Sequence, residues 1–426
     1  MGPSESVPCA QTLSDGQSGF DRRWQRVLDC GPPRAARRMP IGMTMNYWLA
    51  RYGGISHRQQ TYDYERVTQI AEELVVAFEP DYFTSPFVMT TFGPMLDAID
   101  FRQLEWPGHG VGDHQPYQYL DREYMTADEY DDFLFDPTGF YYEKYLPRVA
   151  GAFDGMQPLA SLTGSVYLGL GFATMAFADE SLQAAFDRVR AAGEAARAAV
   201  AADIAFAKRM ARLETPTGFG LVASAPYDAL ADFCRGATGM MKDLYRRPEK
   251  VLAALDKMAT LVARQTLAKA SFVHNPLVFI PVHWAADPYM SQKQFRTFWW
   301  PSFARMAGEL AAGGLIPMPL WQSDCSSRLE TLRELEPGSC VHWFDSTDLV
   351  RAFEVLDDVA ALRGGLTSSM MTTGTPHEID AAVRELAERV FHRGGRLIFD
   401  SGFGIPDETP AENVRAMFAA ARAYGG

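Results

Sequence analysis

At 426 residues with 47% hydrophobic content, the chain is long enough to bury a large core in one or two domains. A formal net charge of −13 and a pI near 5.2, with no basic block, exclude a surface that attracts nucleic acid or anionic lipid. The five cysteines, Cys9, Cys30, Cys234, Cys325 and Cys340, are scattered and lack a C-x-x-C pair, which fits a reduced cytoplasmic protein better than a disulfide-built secreted one.

In chain order, the opening MGPSESVPCAQTLSDGQSG has no apolar centre for a signal peptide, and no later run of about 18 apolar residues spans a bilayer. Its polar, Ser/Gly-rich composition predicts disorder over 1–19, with 20–426 forming one domain. A short helix, Phe20–Cys30, leads through GPPRAARR to a first strand, Met39–Thr44. A helix over Tyr62–Phe78 follows, with Val67, Ile70, Leu74 and Val75 on one buried face. Pro80 ends it, and a second strand begins at Asp81–Thr84. Residues 88–175 break the rhythm as an irregular aromatic-rich insertion (WPGHG at 106–110, QPYQYL at 115–120, DPTGFYY at 136–142). Such a segment reads as a lid or substrate wall, or as a structural cap. An Ala/Arg-rich helix, Asp179–Leu213, a third strand, Thr217–Ser224, and a helix, Arg246–Ala270, come next.

From there strands and helices alternate. Strands Leu277–Trp284, Ile316–Gln322, Cys340–Asp345, Leu362–Thr367 and Arg396–Ser401 each precede a helix, over Ser291–Ala312, Leu329–Glu336, Asp348–Leu356, Pro376–His392 and Pro410–Tyr424. Eight short apolar strands separated by amphipathic helices predict an α/β fold, a (β/α)₈ TIM-type barrel with the insertion after strand two. An open doubly wound sheet is the alternative, but no G-x-G-x-x-G follows the first strand.

In such a barrel chemistry belongs at the C-terminal strand ends. The residues there are Ser85; Tyr227 and Asp228; His283, Trp284 and Asp287; Gln322, Asp324 and Cys325; His342 and Asp345; Thr367 and Ser368; Asp400, Ser401 and Phe403. His283, Gln322, Asp324 and Asp400 are the candidates for acid–base work, and Trp284, Tyr227, His342 and Phe403 for substrate contact. A metal, if bound, would draw on His283, Asp324, Cys325 and His342. Each has a plainer alternative: His283 as a hydrogen-bonded wall residue, Cys325 as a small buried hydrophobe, His342 facing the helical layer, and Asp345 within the Ser346/Thr347/Asp348 helix cap. Asp400 stands out because a carboxylate on a core strand is costly to bury.

The segments APYDALADFCRGATGMMKDLYRRPEKV (225–251), HWAADPYMSQKQFRTFWWPSF (283–303), SSRLETL (326–332), FDSTDLVRAFEVL (344–356), GGLTSSMMTTGTPHEID (364–380) and GGRLIFDSGFGIPDETPAENVRAMFAAAR (394–422) resemble the uroporphyrinogen decarboxylase superfamily. That superfamily of βα barrels contains the tetrapyrrole decarboxylase and the corrinoid-dependent methyltransferases. The resemblance covers residues from about 35 to the end and is most specific in the last 200. WPGHG and QYLDREYMTADEYDDFLFDP resemble its longer branch, many of whose members are thought to be methyltransferases. The resemblance implies methyl transfer between a small molecule and a corrinoid (cobalamin) cofactor or corrinoid protein. Decarboxylation of a tetrapyrrole or another carboxylate is the alternative, and a non-catalytic corrinoid- or tetrapyrrole-binding barrel a second. A second copy of the chain, as a homodimer, is a further candidate partner.

Two departures stand out. The zinc methyltransferases end the fifth strand in His-x-Cys and carry another Cys after the eighth, where this chain has Gln322-Ser323-Asp324-Cys325 and Ser401-Gly402-Phe403-Gly404. The decarboxylase places a His near that eighth-strand turn, an Asp after strand two and two Arg near the first strand, where this chain has Phe403, Thr84-Ser85-Pro86 and, at best, Arg51.

Overall fold

The computed structural model describes residues 21–24, 27, 38–162 and 165–426. Residues Asp21–Trp24 and Val27 are helical. The rest of the helix predicted over Phe20–Cys30, and the segment 1–19, lie outside the described residues.

The eight predicted strands are all present, several of them shorter than their apolar runs. They are β1 (Gly42–Met43), β2 (Tyr82–Phe83), β3 (Leu221–Val222), β4 (Leu277–Val282), β5 (Ile316–Trp321), β6 (Val341–Phe344), β7 (Ala361–Leu366) and β8 (Leu397–Ser401). All pair in parallel. β3 to β8 form a six-stranded sheet in sequence order, and β1 and β2 a separate pair. Regular pairing therefore gives two sheets and not a single closed one. Isolated parallel bridges span the two seams, Ile41 to Phe399 and Met45 to Ile405 on one side and Phe83 to Thr217 on the other.

Within the six-stranded sheet, the short pairing of β5 with β6 has a local cause. Pro317 and Pro319 lie in β5, whose other residues pair with β4 through N–H groups such as Ile316 and Gln322. The prolines have no N–H to offer toward β6, and β5–β6 pairing is confined to Leu320–Trp343 and Trp321–Phe344.

Alternation along the strands divides the core in two. Phe279, Met318, Leu320, Val341, Trp343 and Ile398 pack with Tyr82 on one face of the sheet. Val278, Ile280, Val282, Trp321, Phe344, Leu397 and Phe399 face the helices. Those helices are α1 (Tyr64–Phe78), α2 (Glu180–Arg212), α3 (Pro226–Leu230), α4 (Ala237–Arg246), α5 (Pro248–Ala270), α6 (Trp300–Ala312), α7 (Leu349–Leu356), α8 (Pro376–Arg389) and α9 (Ala411–Tyr424). α8 begins with a capping box, in which Thr375 accepts from the Glu378 N–H and the Glu378 carboxylate accepts from the Thr375 N–H, satisfying two otherwise orphaned donors. Among the described residues no helix is long and apolar enough to cross a membrane.

The segment 88–175 is more regular than its composition predicts. It contains a small three-stranded sheet, with Leu104–Pro107 between Gly110–Val111 and Gln118–Tyr119. Short helices, among them Gly93–Ile99 and Tyr130–Phe135, surround it. Turn-rich sequence hid these pieces because each is only a few residues long and is held by contacts distant in sequence. The Tyr124 and Met125 N–H groups both donate to the Cys234 carbonyl at 2.8 Å. Beneath them the buried Arg235 pairs with buried Asp243 at 2.6 Å, and Tyr130 donates to the same carboxylate.

Candidate active site at the ends of strands three and four

Pro226 opens α3 directly after β3, and the backbone then widens into a π turn over Ala231–Arg235. Asp228 and Asp232 are four residues apart, so both project from the same side of this helical run. That side faces the end of β4, where strand pairing stops and the backbone N–H groups of His283 and Trp284 need acceptors.

Asp228 satisfies them. Its Oδ1 accepts from the His283 N–H at 2.5 Å and the Trp284 N–H at 3.2 Å, and its Oδ2 from Trp299 Nε1 at 2.7 Å. Trp299 ends a second π turn, Phe295–Trp299, within the run predicted as one helix, Ser291–Ala312. Burial, reinforced by the charge of Asp232, pushes the Asp228 carboxyl up to about 6.

Asp232 makes the contact with chemical consequence. Its Oδ2 lies 2.7 Å from His283 Nδ1, and its Oδ1 accepts from Trp284 Nε1 at 2.5 Å. A carboxylate at Nδ1 fixes that nitrogen as the N–H donor, leaving Nε2 as the ring nitrogen for a ligand. Burial works against the imidazolium, but the Asp232 hydrogen bond and the charges of Asp228 and Asp232 prevail and raise the His283 pKa above its usual 6.5.

His283 opens onto a cavity of ≈ 370 Å³ walled by Tyr119, Asp121, Asp232, Phe233, Trp284 and Tyr289. The insertion supplies Tyr119 and Asp121, and Asp121 is fixed by accepting from the Ala237 N–H at 2.8 Å. A larger cavity of ≈ 450 Å³ lies on the other side of Phe233, between the insertion and α5, but its walls hold no carboxylate or imidazole. Of the two, only the first has carboxylates and an imidazole in its walls.

The structure brings only part of the expected set to this place. His283 and Trp284 are there; Asp232, which the sequence reading passed over, is the residue that orients both. Tyr227 is buried and is not a wall of the cavity. Gln322 is half-buried at the end of β5, its N–H donating to the Val282 carbonyl. Asp324 is exposed and caps its own turn by accepting from the Ser326 N–H and hydroxyl. Cys325 is fully buried, and burial raises its thiol pKa. His342 corrects the expectation of a substrate contact. It lies on the helix-facing side of β6, fully buried, with Nδ1 accepting from Trp321 Nε1 at 3.1 Å, and burial lowers its pKa to about 3. Phe403 packs on the inner cluster, and its N–H donates to Asp345 Oδ1 at 3.2 Å.

Asp400 is also away from the cavity. It lies on the inner face of β8 at 0% exposure, ion-paired to Arg363 at 2.8 Å. Its Oδ2 accepts in addition from Thr44 and Tyr82, each at 2.9 Å, and its Oδ1 from the Ser401 N–H. The cost of burial that singled it out is met by Arg363, itself stacked 3.5 Å from the centre of the Trp343 ring.

A family model, uroporphyrinogen decarboxylase (URO-D), matches residues 185–424. The chain belongs to the URO-D family. The matched span begins in α2 and contains Asp228, Asp232 and His283, whereas the insertion walls Tyr119 and Asp121 precede it. No curated protein matches the chain in sequence. Among solved structures, a methyltransferase from Methanosarcina mazei is similar, with a TM-score of 0.57 and 13% identity over 96% of this chain and 99% of that one. At that identity the likeness is one of fold. It covers the insertion as well as the strands.

The metal set expected from the sequence does not assemble, since Asp324 is exposed while Cys325 and His342 are buried. Among the described residues, the one group of potential ligands within 4.8 Å of one another is Asp228, Asp232 and His283. The oxygens of both carboxylates already accept N–H groups, including two indoles. This is a hydrogen-bonded cluster built around an imidazole, and it does not fit a zinc centre.

Proposed function

We propose that the protein is a methyltransferase that moves a methyl group between a small molecule held beside His283 and a corrinoid. The observation that carries this reading is the Asp232–His283 pair opening onto an aromatic-walled cavity where two parallel strands end. We read the eight strands as one (β/α)₈ barrel domain over residues 20–426, which the seam bridges Ile41–Phe399 and Phe83–Thr217 support, and in which this cavity lies at the catalytic end. URO-D family membership and the likeness to a methyltransferase favour the same conclusion.

The heteroatom that loses a methyl group keeps the bonding electrons, and a poor leaving group departs faster if it is protonated as it leaves. His283 is placed for that. Asp232 holds Nδ1 and favours the imidazolium, and Nε2 carries the proton to be delivered. Trp284, tied to the same carboxylate, fixes the wall against which the substrate lies.

At ≈ 370 Å³ the cavity is near the lower end of the roughly 300–1,000 Å³ usual for small-molecule sites, and it does not enclose a corrin macrocycle. The corrinoid therefore meets the substrate at the rim, free or carried by a partner protein, while this chain binds the small molecule and manages its proton. Decarboxylation of a polycarboxylate is disfavoured, because the walls carry Asp121 and Asp232 and neither Arg nor Lys.

The test is to mix the protein with cob(I)alamin and a panel of O- and N-methyl donors and record the absorption of methylcobalamin. His283→Gln is expected to lower the rate of the active donor by about 10²–10⁴-fold. The absence of methylcobalamin with every donor overturns the proposal.

A further inference from the structure

The walls of the His283 cavity are two aromatic pairs and two carboxylates. Tyr119 meets Phe233 edge-on, with ring centres 5.9 Å apart, and Trp284 lies tilted against Tyr289 at 5.8 Å. Tyr119 and Tyr289 remain 58% and 54% exposed, an unusual state for large rings held in fixed pairs beside one another. Asp232 closes the inner end. Asp121 stands at the insertion side, and among the described residues only its Oδ1 takes a protein hydrogen bond. No Lys or Arg lines the space, and the one basic group, His283, is paired to Asp232 at 2.7 Å.

Aromatic faces combined with an excess of carboxylates attract an organic cation more than a neutral or anionic molecule of the same shape. The ring quadrupoles and the carboxylates act together on a charge spread over methyl groups, which is weakly hydrated and easily desolvated. We propose that this cavity is an ammonium cage whose ligand carries a tertiary or quaternary methylammonium head. The inference rests on the methyl-transfer reading for what becomes of the ligand, and concerns the cationic head that anchors it and not the heteroatom that receives the His283 proton, since a quaternary nitrogen releases a neutral amine and takes none. The cage itself is a statement about binding. The insertion gives it two of those six walls, Tyr119 and Asp121, so ligand choice depends in part on a segment outside the residues that the URO-D family model matches.

The experiment is isothermal titration of the full chain with choline and with its neutral isostere 3,3-dimethylbutan-1-ol, at fixed ionic strength and without any corrinoid. Choline is expected to bind at least about 10-fold more tightly, and Tyr119→Leu and Tyr289→Leu each to weaken choline by roughly 3- to 30-fold while leaving the alcohol nearly unchanged. Both tyrosines are more than half exposed, so these variants are expected to fold, which circular dichroism checks. Asp121→Asn is expected to weaken choline alone. Equal affinities for choline and the alcohol, or tighter binding of the alcohol, overturn the cage, as does choline binding that neither tyrosine variant changes. Methylcobalamin formation from a neutral methyl ether, without choline binding, removes the cage and leaves methyl transfer standing. Choline binding with no methyl transfer from any donor does the reverse.

Discussion

The behaviour of His283 depends on one carboxylate. Because its pKa is raised above 6.5, the protonated form that serves a leaving group persists to higher pH than a free imidazole allows. Methyl transfer is expected to fall as pH rises through that raised pKa. In Asp232→Asn, which removes the strongest of the influences favouring the charged ring, the descending limb is expected to move to lower pH; a pH–rate profile of both proteins decides this, and an unmoved limb assigns the proton to another group. The same shift has a sign for stability. A histidine whose pKa is raised by folding stabilises the native state fully below about 6.5, and that contribution is lost as pH rises through the folded value. His283 and Trp284 were legible in the sequence because they follow an apolar strand. Asp232 was not, although its spacing of four from Asp228 places the two together on a helix, because nothing local distinguishes a carboxylate that turns toward a strand end from one on a solvated helix face. His342 and Asp400 show the opposite difficulty. Both are polar residues near strand ends, and only the register of β6 and β8, which no local pattern determines, sends one toward the helices and the other inward to Arg363.

At the scale of elements, the insertion and the run from α3 to α4 act as one unit, because the insertion forms cavity walls only while it is clamped. The clamp is Arg235 against Asp243, both 2% exposed, with the Arg235 Nη1 also donating to the Met125 carbonyl. Removing one partner of a buried ion pair costs about 3–5 kcal/mol when the other charge is left uncompensated; Arg247, 3.6 Å from Asp243, keeps part of the compensation here and places the loss toward the lower end. Arg235→Met is therefore expected to lower the urea midpoint, to speed amide exchange at Tyr124 and Met125, which bond the neighbouring Cys234 carbonyl, and to weaken ligands of the cavity. If exchange at these two amides is unchanged, the clamp is not what holds the insertion. The long amphipathic helices were legible within a residue or two, as α1, α5, α7 and α9 show, because apolar spacing marks them, together with a capping aspartate at Asp63 and Asp348 or a proline at Pro248 and Pro410. The insertion was not, since its pieces are stabilised by contacts across more than a hundred residues, such as Met125 with Arg235, and local composition carries no record of such contacts.

For the whole molecule, the count of eight strands was legible, whereas the manner in which they join was not. Their apolar runs and intervening helices suffice for the count, but the division into six and two strands lies in seams held by isolated bridges that only the three-dimensional register reveals. At the seam the backbone bonds are few: Phe399 donates to the Pro40 carbonyl at 2.9 Å and Ile405 to the Thr44 carbonyl at 2.7 Å. Side chains add what the backbone lacks. Asp400 on β8 accepts from Thr44 just after β1, from Tyr82 on β2 and from Arg363 on β7, and Thr44 in turn meets Thr84 at 2.8 Å. One carboxylate thus ties the two-stranded sheet to the six-stranded one. Asp400→Leu leaves Arg363 charged, buried and short of its partner, and is expected to cost about 3–5 kcal/mol. The double variant Arg363→Met/Asp400→Leu removes both charges and is expected to recover much of that loss, because the desolvation penalty goes with the pair. If Asp400 acts only as this tie, the loss in Asp400→Leu is accompanied by faster amide exchange at Phe83, Thr84 and Phe399, whose bonds cross or flank the seams, while choline affinity at the His283 cavity is retained by the folded fraction. Urea unfolding followed at those amides, read beside the titration, distinguishes this from a direct role. Loss of choline binding in a fully folded Asp400→Leu protein would place Asp400 back in the site.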